Sequence, residues 1–189
     1  MRQFAGSPVQ ISPPEQFRSP RVLLRRPVDA DAELMFDQYT RDPEVSRYLS
    51  WRPHRHLADT RQYITICRER WRGNHARTYA IDVPGHKAAG AFELRYGDTV
   101  HGVTFGYVLA KPLWGRGYMS EALRTVVAWA MSREEIWRIW GFCDVENPGS
   151  ARVMEKAGLD FEGVLKRFAV HPNIDPVRPR DCRCYARAR

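Results

Sequence analysis

The segment from Val103 to Val145 constrains this chain more than any other, because its hydrophobic period changes twice. "VTFGYVL" (Val103 to Leu109) and "IWRIWGFCDV" (Ile136 to Val145) are short, β-branched and aromatic, as strands are. Between them, Met119, Leu123, Val126, Val127, Ala130 and Met131 fall on one face of a helix. A strand–helix–strand unit predicts a parallel pair joined by a right-handed crossover. The connection into the helix, "KPLWGRG", is rich in glycine and positive charge.

That junction suits an anion. The first N–H groups of a helix lack intrahelical partners, and the helix dipole is positive there. Glycines let the backbone approach closely, and successive N–H groups make a nest. The loop from Leu113 to Met119 could clasp a pyrophosphate; a plain tight turn is the rival reading. It is not the dinucleotide fingerprint, since Ser120 stands where the third glycine belongs, nor a P-loop, which needs Gly-Lys-Ser/Thr.

The remaining pattern fills in a mixed sheet. "RVLLRRP" reads as a strand ended by proline, and "DADAELMFDQYT" as a helix with Asp29 or Asp31 as cap. "DPEVSRYL" predicts a short turn of helix with Pro43 first, and "LADTRQYITICRERW" an amphipathic helix opening at Asp59. "RTYAIDV" and "AAGAFELRY" form a hairpin around "PGHK", and "GDTVHG" is a further turn. "NPGSARVMEKAG" is a helix with Asn147 at the cap, Pro148 first and Gly158 past the end. "LDFEGVLKRFAV" and "PRDCRCYARAR" make a last strand pair joined by a Pro-rich loop. Trp137 and Trp140 are expected to pack in the sheet and its cover. About seven strands are expected, mostly antiparallel, with helices on both faces.

Composition bounds the rest. A chain of 189 residues with 43% hydrophobic content fits one domain, placed at 21–189 behind a flexible leader over residues 1–20. No apolar run is long enough for a membrane span, and the start lacks a secretory block, so a cytoplasmic location is expected. Cys67, Cys143, Cys182 and Cys184 are too few and scattered for a disulfide framework. The C-x-C they include has no second Cys/His pair at zinc spacing, so no metal is expected. The net charge of +8 attracts anions, but the arginines are dispersed rather than blocked, which makes nucleic acid a weak alternative.

"GYVL…WGRGYMSEAL", then a strand, then "N-x-x-S-x-R-V-M-E-K-A-G", together with "DADAELMF", "DPEVSRYL" and a late "YAR", resembles the GNAT superfamily of acetyl-CoA-dependent N-acetyltransferases. Within it the chain is most similar to the Rim-type branch, named for ribosomal-protein N-terminal acetyltransferases. The resemblance implies a three-layer αβα sandwich whose central parallel strands splay apart. It also implies direct acetyl transfer from acetyl-CoA to a primary amine, on a protein N-terminus or a small molecule. The coenzyme pyrophosphate would lie on the backbone amides of Trp114, Gly115, Arg116, Gly117, Tyr118 and Met119. The pantetheine arm would pair with Tyr107, Val108 and Leu109, and Val108 N–H would meet the oxyanion. Asn147 would contact the coenzyme as well as cap its helix. A homodimer through the last strands fits this fold. The alternative is a coenzyme- or nucleic-acid-binding domain of the same fold without transfer activity.

The acid and base follow less directly. Many relatives carry a Tyr seven residues after the asparagine; here that position is Met154. The Rim-type branch has instead a Ser three residues after it, which matches Ser150, set against a serine that only satisfies local backbone. Where relatives carry a base Glu, two residues before the glycine of the "GY" strand, this chain has Thr104. Glu93, His101 or a water path are the substitutes. Pro112 replaces a Gln or Arg found in many relatives, which removes a side-chain contact and leaves the backbone cradle. Trp51, His54 and His56 sit in a loop that covers the acceptor site in the resembled fold; for the histidines an ordinary basic loop is the preferred reading.

Overall fold

The computed structural model describes residues 11–73, 75–96 and 101–189. The expected turn at "GDTVHG" therefore lies, over residues 97–100, outside the described residues. The chain runs β1 (Gln16–Arg18), β2 (Leu23–Arg25), α1 (Asp31–Met35), α2 (Pro43–Ser46), α3 (Leu57–Arg70), β3 (Ala76–Asp82), β4 (Gly90–Arg95) and β5 (Gly102–Leu109). It continues through α4 (Tyr118–Ser132), β6 (Arg138–Asp144), α5 (Pro148–Lys156), β7 (Asp160–His171) and β8 (Asp175–Ala188). One sheet results, ordered β1-β2-β3-β4-β5-β6-β8-β7, antiparallel except at β5–β6.

Among the described residues there are eight strands rather than about seven. The additional one is β1, inside the stretch expected to be a loose leader. Phe17 and Ile11 are buried, Tyr79 donates its hydroxyl to Pro14 O at 2.7 Å, and Arg77 donates to Pro13 O. The packed chain thus begins before Arg21: the ladder to β2, two apolar side chains and two proline carbonyls hold this segment against the sheet and α4.

Strand alternation explains the layers. Thr78, Glu93 and Gly106 lie abreast on one face, Tyr79, Phe92 and Tyr107 on the other. α3 covers the first, where Arg70 pairs with Glu93. α4 and α5 cover the second: Trp129 of α4 packs edge-on against Phe17, 5.5 Å between centroids, and Tyr107 meets Ser150 of α5. The predicted α4 stripe is buried except for Met131, which is half-buried.

Four local expectations shift. α3 opens at Leu57, because Asp59 is its third residue and accepts from the His56 and Arg55 amides at 3.0 and 2.9 Å. Ala30 precedes α1, and Asp31 instead binds Arg25 and the Val28 amide. The Pro-rich loop near the end is mostly strand: β7 and β8 extend to His171 and from Asp175. Pro176 and Pro179 are tolerated there because β8 meets β6 only from Cys182 onward, so this stretch has a sheet neighbour on one side only. Trp137 is largely exposed rather than packed, and Trp140 is half-buried.

Candidate active site

The site begins where two parallel strands part. β5 pairs with β6 only at Gly102, Val103 and Thr104, opposite Arg138, Ile139 and Trp140. It continues to pair with β4 as far as Leu109. A Cβ at Gly141 would lie 2.6 Å from the Phe105 ring, so that ring occupies the space beside β6 where a side chain would otherwise stand. The aromatic wedge and the glycine that accepts it fall at the residue where pairing stops.

The open edge has a definite chemistry. Ala110 N–H donates to Ala89 O at 2.8 Å, so by alternation the even-numbered residues at this end of β5 turn their main-chain groups to β4. Tyr107 and Leu109 turn theirs to the gap. The expectation that Val108 N–H meets an oxyanion is therefore corrected: its peptide faces β4, opposite Ala91, and the amide aimed into the gap is that of Tyr107. The Leu109 carbonyl on that side accepts the Trp114 indole N–H at 2.7 Å.

Beyond β5, a 3-10 turn over Lys111–Leu113 leads to Trp114 and the two glycines. Gly115 and Gly117 have φ of +74° and +81°, the left-handed region that glycine enters without strain. Gly117 precedes α4 with no side-chain cap, and the first intrahelical bond runs from Glu121 N to Gly117 O at 3.0 Å. The amides of Tyr118, Met119 and Ser120 stand ahead of that bond, at the positive end of a 15-residue helix. Arg21 braces the loop from β2's approach. It pairs with Glu121 at 2.7 Å, donates to Arg116 O at 3.2 Å and lies 5.0 Å from the Tyr118 ring.

α5 supplies the opposite wall. Asn147 Oδ1 accepts from Ser150 N at 3.1 Å, the expected cap. Ser150 Oγ lies 2.8 Å from Tyr107 Oη, which is also 3.2 Å from Ser150 O. Sequence alone gives Tyr107 only a backbone role; its phenol reaches the serine. Burial pushes that phenol well above its ordinary pKa, and the Ser150 hydrogen bond offsets only part of this. Cys143, from the adjacent end of β6, places Sγ 3.8 Å from Asn147 O, and burial pushes its thiol up to about 11. Met154 is buried in the core.

A cavity of about 670 Å³ joins these parts. Tyr107, Val108, Leu109, Trp114, Gly115, Gly117, Tyr118, Met119, Asn147 and Ser150 all line it; of the predicted residues Arg116 does not. It extends past the splay to Arg47–Ser50 after α2, to Phe142 and Asp144 of β6, and to Ala169–His171 of β7. Trp51, His54 and His56 are not on its wall. His54 Nδ1 is held by Thr60 at 2.8 Å, and His56 immediately precedes α3. Glu93 is unsuited to act as a base, because Arg70, Arg95 and Thr78 all hold its carboxylate. His101 is exposed, and its carbonyl joins β5 to Trp137.

A splayed parallel pair, an amide-lined loop at the positive end of a helix and a polar wall opposite define an acyl-coenzyme transferase fold. The sequence model of the Acetyltransferase (GNAT) domain matches residues 21–160. The chain belongs to the GNAT acetyltransferase family, whose enzymes use acetyl-CoA as cosubstrate. This favours a transferase over the binding-only alternative. The chain is similar to the uncharacterized N-acetyltransferase p20 of Bacillus licheniformis, 25% identical over 82% of this chain and 87% of that one. A GNAT acetyltransferase structure from Bacillus anthracis superposes with a TM-score of 0.78 at 25% identity, covering 92% and 98% of the two chains. RimL, a ribosomal L7/L12 alpha-N-protein acetyltransferase solved with coenzyme A, shares the fold with a TM-score of 0.79 at 21% identity, covering 92% and 98%. Among the described residues no helix is long and apolar enough to cross a membrane.

Proposed function

We propose that this enzyme moves acetyl from acetyl-CoA to the α-amine of a protein N-terminus or to a small primary amine, without an acyl-enzyme intermediate. The observation that carries the reading is the unpaired edge of β5 between Phe105 and Leu109, opposite α5 and leading into the amide-lined loop. The amide-bearing pantetheine arm takes the place of the missing strand at Tyr107 and Leu109. The diphosphate lies on the amides from Gly115 to Met119, the expected Trp114 amide being donated instead to Lys111 O at 3.0 Å, with Arg116 adding charge from the exposed side. The acceptor, as a neutral amine, attacks the thioester carbonyl. Tyr107 N–H receives the developing oxyanion. Collapse breaks the C–S bond, and Ser150 Oγ, backed by the Tyr107 phenol, gives the leaving thiolate a proton that the relay recovers from solvent.

An α-amine, with a pKa of about 8, is more readily neutral than an alkyl amine at about 10.4, which favours a protein N-terminus. RimL, a ribosomal L7/L12 alpha-N-protein acetyltransferase, takes an acceptor of that kind. Phe161, Phe168, Val170 and Val177 are exposed on β7 and β8, which supports a homodimer through these strands. Titration calorimetry with acetyl-CoA, followed by a mass-shift screen of peptides and small amines, tests the reading. We expect micromolar coenzyme binding and a gain of one acetyl on an amine. Coenzyme binding with no thiol release on any acceptor, or no binding, would overturn it.

A further inference from the structure

The reaction needs the acceptor amine neutral, and every base expected from the sequence is absent, exposed or already paired. The structure holds an unassigned titratable group on the same cavity. His171 ends β7, is 96% buried by its 4% exposure, and lines the cavity together with Val108 and Ser150. Its Nε2 faces Asp144 Oδ2 at 3.5 Å, and its Nδ1 is buried without a hydrogen-bond partner. A buried ring nitrogen with no partner costs stability unless something occupies it.

The surroundings hold the ring in place. Asp144 is fully buried at the end of β6, gripped by Arg180 of β8 at 2.6 and 3.2 Å and by the Glu146 amide at 2.8 Å. Arg180 also pairs with Glu146 at 2.9 Å. Cys182 of β8 lies 4.0 Å from Nε2, and the Tyr48 ring stands edge-on at 6.3 Å between centroids. Asp175 is the strand partner of His171 across the β7–β8 turn. That turn is tied to the opposite wall by Asn173, which donates to Ser46 O at 2.6 Å and Trp51 O at 2.8 Å. Asp144 thus stands behind one nitrogen, while the other is buried without a direct partner at the wall of the cavity, with the Tyr48 main chain also facing the ring.

We propose that His171 is the general base of the transfer, resting on the acetyltransferase reading above, and that Asp144 is its positioning residue. The acceptor arrives as an ammonium ion. One N–H bond breaks and its proton moves to His171 Nδ1, which leaves the nitrogen lone pair free to attack the thioester carbon. The C–N bond forms, the C–S bond breaks with its electron pair on sulfur, and the thiolate takes a proton from the Ser150 side. The amide nitrogen sheds its second proton to solvent, and His171 then releases its own. Burial, aided by Arg180, keeps the ring below its ordinary pKa, although Asp144 and the Tyr48 main chain oppose this. The base is therefore neutral and ready at pH 7.

The test uses the full chain, an acceptor found in the mass-shift screen, and kcat/KM measured by thiol release from pH 5 to pH 10. His171→Gln keeps the size and loses the titration. It should lower kcat/KM at pH 7 by about a hundredfold or more. The deficit should shrink toward pH 10, where the amine is neutral unaided, while the Kd for coenzyme A stays within twofold. Asp144→Asn should give a smaller loss of the same pH shape. A deficit equal at all pH values, or none, overturns the assignment. If His171→Gln does not fold, the wild-type profile decides: an inflection below pH 6.5, separate from that of the amine, supports the base. A profile that follows the amine alone sinks it. A wild type that acetylates nothing refutes the acetyltransferase reading instead; an active wild type matched by His171→Gln refutes only the base.

Discussion

The sharpest prediction concerns Gly115 and Gly117. Both are exposed, with φ of +74° and +81°. A Cβ at Gly115 would meet nothing within 4 Å, and one at Gly117 would meet only Arg21 Nη2, at 3.4 Å. Alanine at either position therefore brings no collision, and its effect is backbone strain alone, about 1–2 kcal/mol per residue held in the left-handed region. In the free protein the stretch between the two glycines is held directly by one bond, from Arg21 to Arg116 O, so the loop can shed part of that strain while its ends stay fixed. Binding coenzyme A would force the geometry back, and the strain would then appear as lost affinity. The double variant Gly115→Ala/Gly117→Ala should weaken coenzyme A binding by about 2–4 kcal/mol, roughly thirtyfold to several hundredfold. Urea unfolding without ligand should change by less than this. Calorimetry and denaturation on the same sample measure both quantities. A double variant that loses about 2–4 kcal/mol of stability yet binds coenzyme A like the wild type would refute the reasoning. The strain would then belong to the fold, and the diphosphate would lie elsewhere.

Two further outcomes follow from the site. Ser150→Ala and Tyr107→Phe should each lower kcat by about tenfold to a hundredfold, the worth of one hydrogen bond to a charged group, with coenzyme affinity nearly unchanged. The double variant should cost little more than the worse single one, since the two hydroxyls form one relay; full additivity in steady-state rates would count against it. Asp144 sets an acid limit on stability. Burial alone would raise its carboxyl, but Arg180 and the Glu146 amide outweigh burial and hold it below the usual range. A depressed carboxyl adds stability that is complete above its unfolded value, about 3.9, and is lost as pH falls through the folded one. Unfolding free energy should thus fall steeply below about pH 4, and Asp144→Asn should flatten that limb. An unchanged acid limb in the variant would show that the pair carries no such linkage.

How far the sequence could reach is clearest by comparing particular residues. The amphipathic spacing of α4, the Asn147–Pro148 opening of α5 and the glycines at 115 and 117 act within a few residues of themselves. Helical period, capping and left-handed turns are local physics, so these features were readable from the chain alone, and with them the parallel crossover and the glycine turns of the loop. Which amide of β5 points into the gap was not readable. That depends on the register with β4, which placed Val108 toward Ala91 and turned Tyr107 outward. The leader's place on β3, the reach of the Tyr107 phenol to Ser150 and the loss of Glu93 to Arg70 and Arg95 are contacts between distant segments. No periodicity records such contacts. The same holds for His171, Asp144 and Arg180: three unremarkable residues on separate strands became one cluster, with Arg180 half-buried over the other two, only when β6, β8 and β7 came to lie side by side. Local physics thus determined the helices, caps and glycine turns, whereas the order of the strands alone decided which distant side chains came to line one cavity.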